Sequence, residues 1–164
     1  MRYALLLLPM ALLTGCVAWH TKTPIAGDET ATVQADDLTV SLHMPKRTLI
    51  PGEAFTAVIK VCNHSNRRVN IEPGCGALAY LIVQRQVQGS FVETKRFPEL
   101  AATQQKAWHL EPGKTREFPL SVVVAPDWPT CEPLQLVGQL NGRPDVQPNM
   151  IIQVIPQPFG TQPQ

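Results

Sequence analysis

Aromatic residues make up only 6% of this 164-residue chain, and charged residues only 16%. Neither sign of charge dominates, with 14 Lys and Arg against 13 Asp and Glu. Nucleic-acid binding rests on a strong basic excess that displaces counterions from phosphates, so this balance excludes nucleic acid as a partner. It also leaves no long-range field to steer a charged substrate. No glycine-rich phosphate loop, nucleophile elbow or carboxylate motif is present, so the sequence assigns no catalytic residue and no cofactor. The reading is therefore of a protein that is not an enzyme, with a hydrolase built from spatially convergent carboxylates as a distant third possibility. No apolar run reaches the roughly 18 residues of a membrane-spanning helix.

What is present begins at the N-terminus. Arg2 gives a short positive start, and Leu5 to Leu13 form an apolar run broken only by Pro9. Leu13, Thr14 and Gly15 then lead into Cys16. That layout is an export signal.

Residues 1–15 resemble a bacterial lipoprotein signal peptide, whose lipobox of apolar, small, small, Cys matches Leu13-Thr14-Gly15-Cys16. The resemblance implies cleavage before Cys16, a diacylglyceryl thioether on its sulfur and, usually, a third acyl chain such as palmitate on its amine. An ordinary secretory signal with a chance cysteine is the alternative. One acyl chain gives only marginal binding, whereas two or three hold a protein at a membrane without a polybasic patch. Val17 stands where aspartate would favour the inner membrane. The resemblance thus places the protein in the bacterial cell envelope, lipid-anchored, with the outer membrane favoured and the domain facing the periplasm.

Residues 16–36 are small and polar with no packing period, which reads as a lipidated N-terminus and flexible tether. Residues 37–156 read as one domain, and residues 157–164 as a disordered Pro/Gln tail. Leu38, Val40 and Leu42 alternate with Thr39, Ser41 and His43, the period-two mark of a half-buried strand. Phe55, Ala57, Ile59 and Val61 repeat it, as do Phe118, Leu120, Val122 and Val124, although Val123 blurs the outer face. Val69 and Ile71, Leu78 to Val83, Leu134 to Leu140 and Met150 to Ile155 supply further strands, and Gln88-Gly89-Ser90 turns a hairpin back into Phe91-Val92. Pro119 marks its strand as an edge or a bulge. Pro51-Gly52 and Pro112-Gly113 suit the central positions of type II turns. Eight or nine short strands with no helical stripe predict an all-β fold, a single immunoglobulin-like antiparallel β-sandwich.

Pro51-Gly52-Glu53, Asn63-His64-Ser65-Asn66, Val69-Asn70-Ile71 and Leu110-Glu111-Pro112-Gly113-Lys114, placed between alternating strands, resemble small bacterial immunoglobulin-like domains. Among them the chain resembles the BsuPI-type proteinase-inhibitor domain, and the likeness spans residues 38–124. It implies a proteinase-inhibiting form of protein binding, and it assigns no inhibitory residue.

With Cys16 acylated, Cys62, Cys75 and Cys131 remain, and an oxidising compartment favours one bridge with one thiol left over. Three pairings exist. A chain reversal near Ser65-Asn66 would carry Cys75 away from Cys62, and Cys75 and Cys131 both lie in turn segments, so Cys75–Cys131 is favoured. Cys62-Asn63-His64 lacks an orienting acid and reads as a packed cysteine beside a polar turn. Trp128, in Pro126-Asp127-Trp128-Pro129, reads either as an interface anchor or as a cap folded over a sandwich end. The expected function is that of a membrane-anchored envelope lipoprotein acting as a non-catalytic protein-binding module, its partner another envelope protein. The alternative is periplasmic metal handling through His20, His43, His64, His109, Met44 and cysteine, although none of these shows ligand spacing and no metal ligand is assigned.

Overall fold

The computed structural model describes residues 29–99 and 105–157. The proposed signal peptide, its Leu13, Thr14 and Gly15, the acceptor Cys16, and the end of the Pro/Gln tail lie outside the described residues. Those described form eleven strands and no helix. Alternation writes most of them. In β2 (Leu38–Met44) and β4 (Ala54–Asn63) every second side chain is buried, from Leu38 to Met44 and from Phe55 to Asn63.

One antiparallel sheet runs β1-β2-β4-β9, with β1 spanning Glu29–Ala35 and β9 Thr115–Val123. A second runs β3-β11-β10-β6-β7. Its members are β3 (Thr48–Leu49), β6 (Ala79–Val87), β7 (Ser90–Phe97), β10 (Pro133–Leu140) and β11 (Asn149–Val154). Within it only the short β3/β11 pairing is parallel. A two-stranded ribbon joins β5 (Val69–Ile71) to β8 (Trp108–Leu110). Side chains from both large sheets and from the ribbon share one buried cluster, so the architecture is an all-β sandwich.

Three expectations change. Eleven strands replace eight or nine, because β1 alternates only small apolar residues and β3 and β8 are two and three residues long, too short to show a period. The tether does not extend to residue 36, since Glu29–Ala35 pairs with β2 along its full length. Ala31, Val33 and Ala35 are its inward, half-buried positions, and small side chains at every second place suffice for an edge strand. Nor does the chain hairpin back from β4 after Ser65-Asn66, for β5 pairs with β8. Asn63 sets that departure. Its buried amide donates to Arg67 O and Leu110 O, at 2.8 Å each, while its Oδ1 accepts from Ser65 N and Oγ.

Both Pro-Gly turns form as expected, with Glu53 N bonded to Ile50 O and Lys114 N to Glu111 O, and positive φ at Gly52 and Gly113. They occupy opposite ends of the β4/β9 pair. Gly52 N donates to Val124 O at one end and Gly113 N to Asn63 O at the other. Each turn opens one strand and docks on the end of its partner. The sequence echo between them is thus the local two-fold symmetry of an antiparallel pair. Pro119 lies on β9, an edge strand among the described residues, where a missing N–H need not interrupt a ladder. The β4/β9 register carries no shift; the irregularity sits instead between Val83 and Gln84.

Candidate functional site

The sandwich has two unlike poles. At one, β2 ends at Met44, β4 begins at Ala54, β9 ends at Val123, and Pro133 of β10 pairs with Gln153 of β11. The chain joins the sandwich here at Glu29, opposite Met44, and Glu29 is bridged to Arg47 at 2.9 Å. At the other pole lie the Glu111–Lys114 turn, the Asn63–Arg67 loop and the Asn141 turn. Asp37 pairs there with Arg67 at 3.0 Å and Arg143 with Asp145 at 2.7 Å. The guanidinium of Arg143 holds the Asp145 carboxyl below its ordinary value.

The cysteines fall at both poles, which overturns the Cys75–Cys131 pairing. Cys75 is held at the far pole, where Asn141 Nδ2 donates to Cys75 O and Ala77 O. Cys131 sits at the near pole, its N–H bonded to Val154 O. All eight residues of β10 stand between those poles, about 26 Å at the usual rise per residue, against the ~7 Å Cα limit for a disulfide. Cys75 and Cys131 are exposed free thiols and Cys62 is a half-buried one. Cys62 forms no pair with the nearby imidazole: His64 Nε2 donates to Asp36 O at 2.8 Å and Nδ1 accepts from Thr39 Oγ1 at 3.2 Å.

Trp128 is not an exposed anchor. Its side chain is 3% exposed and belongs to the core, so the capping alternative describes it. Phe97 packs against it, and Lys95 donates from Nζ to both oxygens of Asp127 at 2.8 Å, pinning the loop onto β7. This ammonium holds the Asp127 carboxyl below its ordinary value. Among the described residues no three His, Cys, Asp or Glu side chains converge on a point. His43 bonds Thr30 Oγ1, His109 faces Glu111, and Met44 is buried in the core; His20 lies outside the described residues.

Two surface features were not read from the sequence. The first is an open flank. Among the described residues β9 has no strand beside its outer edge, and that edge faces the start of β6 across a groove of about 280 Å³. Leu78, Ala79, Pro98, Phe118, Pro119 and Leu120 line it, with Arg116 and Glu117 toward the far pole. Arg116 is fixed by stacking over Trp108 and Phe118, at 4.7 and 5.2 Å from the ring centroids. The second is an apolar projection. β6 pairs with β10 only as far as Arg85, opposite Leu134, yet β6 and β7 continue as a two-stranded hairpin to Val87–Ser90. Gln88 and Gly89 both have positive φ in its turn, and Val87, Phe91 and Val92 stay exposed.

No family model and no curated protein matches the chain. Among solved structures it is similar to the sporulation control protein Spo0M from Bacillus subtilis, at 15% identity and a TM-score of 0.55. That match covers 74% of this chain and 50% of Spo0M, so the chain spans about half the length of this neighbour. Weaker similarities are to a β-glucosidase from Erythrobacter marinus (7% identity, 78% and 16% of the two chains, TM-score 0.42) and one from Listeria innocua bound to gluconolactone (12%, 78% and 16%, TM-score 0.43). The likeness to Spo0M supports the β fold alone.

Proposed function

We propose that the protein is a lipoprotein of the bacterial cell envelope, anchored through Cys16, whose immunoglobulin-like sandwich binds another envelope protein and carries out no chemistry. Leu13-Thr14-Gly15-Cys16 supports the anchor, and Val17 favours the outer membrane with the domain in the periplasm. The observation that carries the binding half is the open flank. An unpaired strand edge beside an apolar groove fits an extended segment of a partner, which would bond along β9 and set its side chains among Leu78, Phe118 and Leu120. Pro119 interrupts that edge and limits indiscriminate strand addition. A proteinase-inhibitor-like form of this binding is what the resemblance to BsuPI-type domains favours.

Two measurements test the reading. Cys16→Ser is expected to abolish fatty-acid labelling and processing at Gly15–Cys16; unchanged labelling and membrane partitioning overturn the anchor. A photocrosslinker at Pro119 in native membranes is expected to give one dominant protein adduct, lost on Leu120→Lys with the unfolding midpoint retained. An anchored protein that yields no such adduct overturns the binding surface.

A further inference from the structure

Six large apolar side chains are exposed among the described residues: Val87, Phe91, Val92, Val123, Ile151 and Ile155. All lie toward one pole. Val123 ends β9, Ile155 follows the end of β11 with its N–H on Leu49 O, and Ile151 is two residues before Gln153. Val87, Phe91 and Val92 project furthest, on the hairpin that outruns β10. The opposite pole carries none of the six and is dressed with ion pairs instead. Chance scatter of single apolar residues over a surface is ordinary, but their segregation to one end is not.

The chain joins the sandwich at this same apolar pole, at Glu29. Twelve residues lie between Cys16 and Glu29, so the link can span at most about 45 Å at the reach of an extended chain. We infer that the apolar pole rests on the lipid surface to which Cys16 is attached, with Val87, Phe91 and Val92 of the β6–β7 hairpin entering the interface. This inference rests on the lipoprotein reading of Cys16 and adds a second, non-covalent contact to it. Among the described residues the charges at the pole balance: Glu29 pairs with Arg47 and Glu53 with Lys46, while exposed Arg85 and Glu132, in no ion pair, are of opposite sign. No basic excess therefore draws the pole to anionic lipid, and the contact rests on apolar burial. Such a contact is weak from free solution. A short link raises the local concentration of the hairpin at the membrane, and the second contact then forms with little further loss of freedom. The open flank between β9 and β6 lies toward the opposite pole and stays clear of the lipid.

The test uses the full mature protein reconstituted in phosphatidylcholine vesicles that carry a photoactivatable acyl chain. After illumination, lipid adducts are expected on the peptide containing Val87–Val92 and not on the Asn63–Arg67 or Glu111–Lys114 segments. Replacing Phe91 and Val92 together by serine is expected to lower hairpin labelling by about tenfold or more, the scale of removing two side chains from an apolar contact. An acylated, vesicle-bound protein whose hairpin takes no label overturns the inference and leaves the anchor standing. A hairpin crosslinked to a second copy of the chain also overturns it, in favour of self-association. Absence of acyl chains on Cys16 is a separate result, read by mass, that overturns the anchor and the placement derived from it.

Discussion

Trp128 packs its indole against the ring of Phe97, with centroids 6.2 Å apart and planes inclined at 43°. Phe97 closes β7 in the second sheet, whereas Trp128 belongs to the loop that leaves β9 in the first. The contact therefore ties the two sheets together along the flank between β9 and β7, and Lys95–Asp127 clamps it from outside.

Trp128→Ala should destabilise the domain by about 3–5 kcal/mol, the usual range for deleting a large aromatic from a core. Trp128→Phe should cost markedly less, because the buried indole N–H has no hydrogen-bond partner to lose. Denaturant unfolding of the two variants checks both, and equal losses would contradict the packing role.

Asn63 holds the far pole. Asn63→Ala would strand the buried carbonyl of Leu110, at about 1–3 kcal/mol for a group left unpaired, and would leave the part-buried carbonyl of Arg67 with Ser65 Oγ as its donor. Asn63→Asp is expected to be worse at neutral pH, since a carboxylate would face the same two carbonyl oxygens. Thermal melts at pH 7 order the three proteins.

Acid should weaken the fold through three ion pairs. Arg96, Lys95 and Arg143 hold the carboxyls of Glu93, Asp127 and Asp145 below their ordinary values, chiefly by side-chain hydrogen bonds. The unfolded chain takes up these protons first, near 4.5 for Glu93 and 3.8 for the aspartates. The stability the pairs contribute is therefore present above those values and lost as pH falls through the lower folded ones. Replacing the three carboxylates by their amides should flatten the acid limb of a stability profile, by a modest amount because the pairs are largely solvated.

The thiols give the fourth test. Cys75 and Cys131 should both alkylate readily in the folded protein, with Cys62 slower. Peptide mapping of the non-reduced chain should recover no Cys75–Cys131 link; recovery of that link would mean that β10 does not separate them.

Strands with large residues at every second position were legible, as Leu38 to Met44 and Phe55 to Val61 show. Glu29–Ala35 was not, because Ala31, Val33 and Ala35 give the same period with little hydrophobic contrast. Turn chemistry at Pro51-Gly52 and Pro112-Gly113 was local and came out correctly. The cysteine pairing was not local: it depended on which strand follows β4, and that was decided by the buried amide of Asn63, a residue the sequence showed only as part of a polar turn. Trp128 illustrates a similar limit, since an aromatic in a proline-rich loop looks the same whether it folds inward or outward. The blurred outer face at Val123 was the one visible trace of the apolar pole, while Phe91 and Val92 passed as ordinary strand residues because nothing local reveals how far a hairpin outruns its sheet.

The registered pairing of β1 with β2 has a mechanical consequence. Tension on the chain ahead of Glu29, directed away from the near pole, acts along the strand axis. All seven pairs from Glu29–Met44 to Ala35–Leu38 then bear load together, in shear. Peeling one pair at a time would require a pull at right angles to β1, which would break Glu29–Met44 first. Rupture under such a load is governed by an unfolding rate and not by equilibrium stability. An edge strand of small, polar residues can thus serve as the clamp through which the sandwich resists being drawn from its N-terminal side.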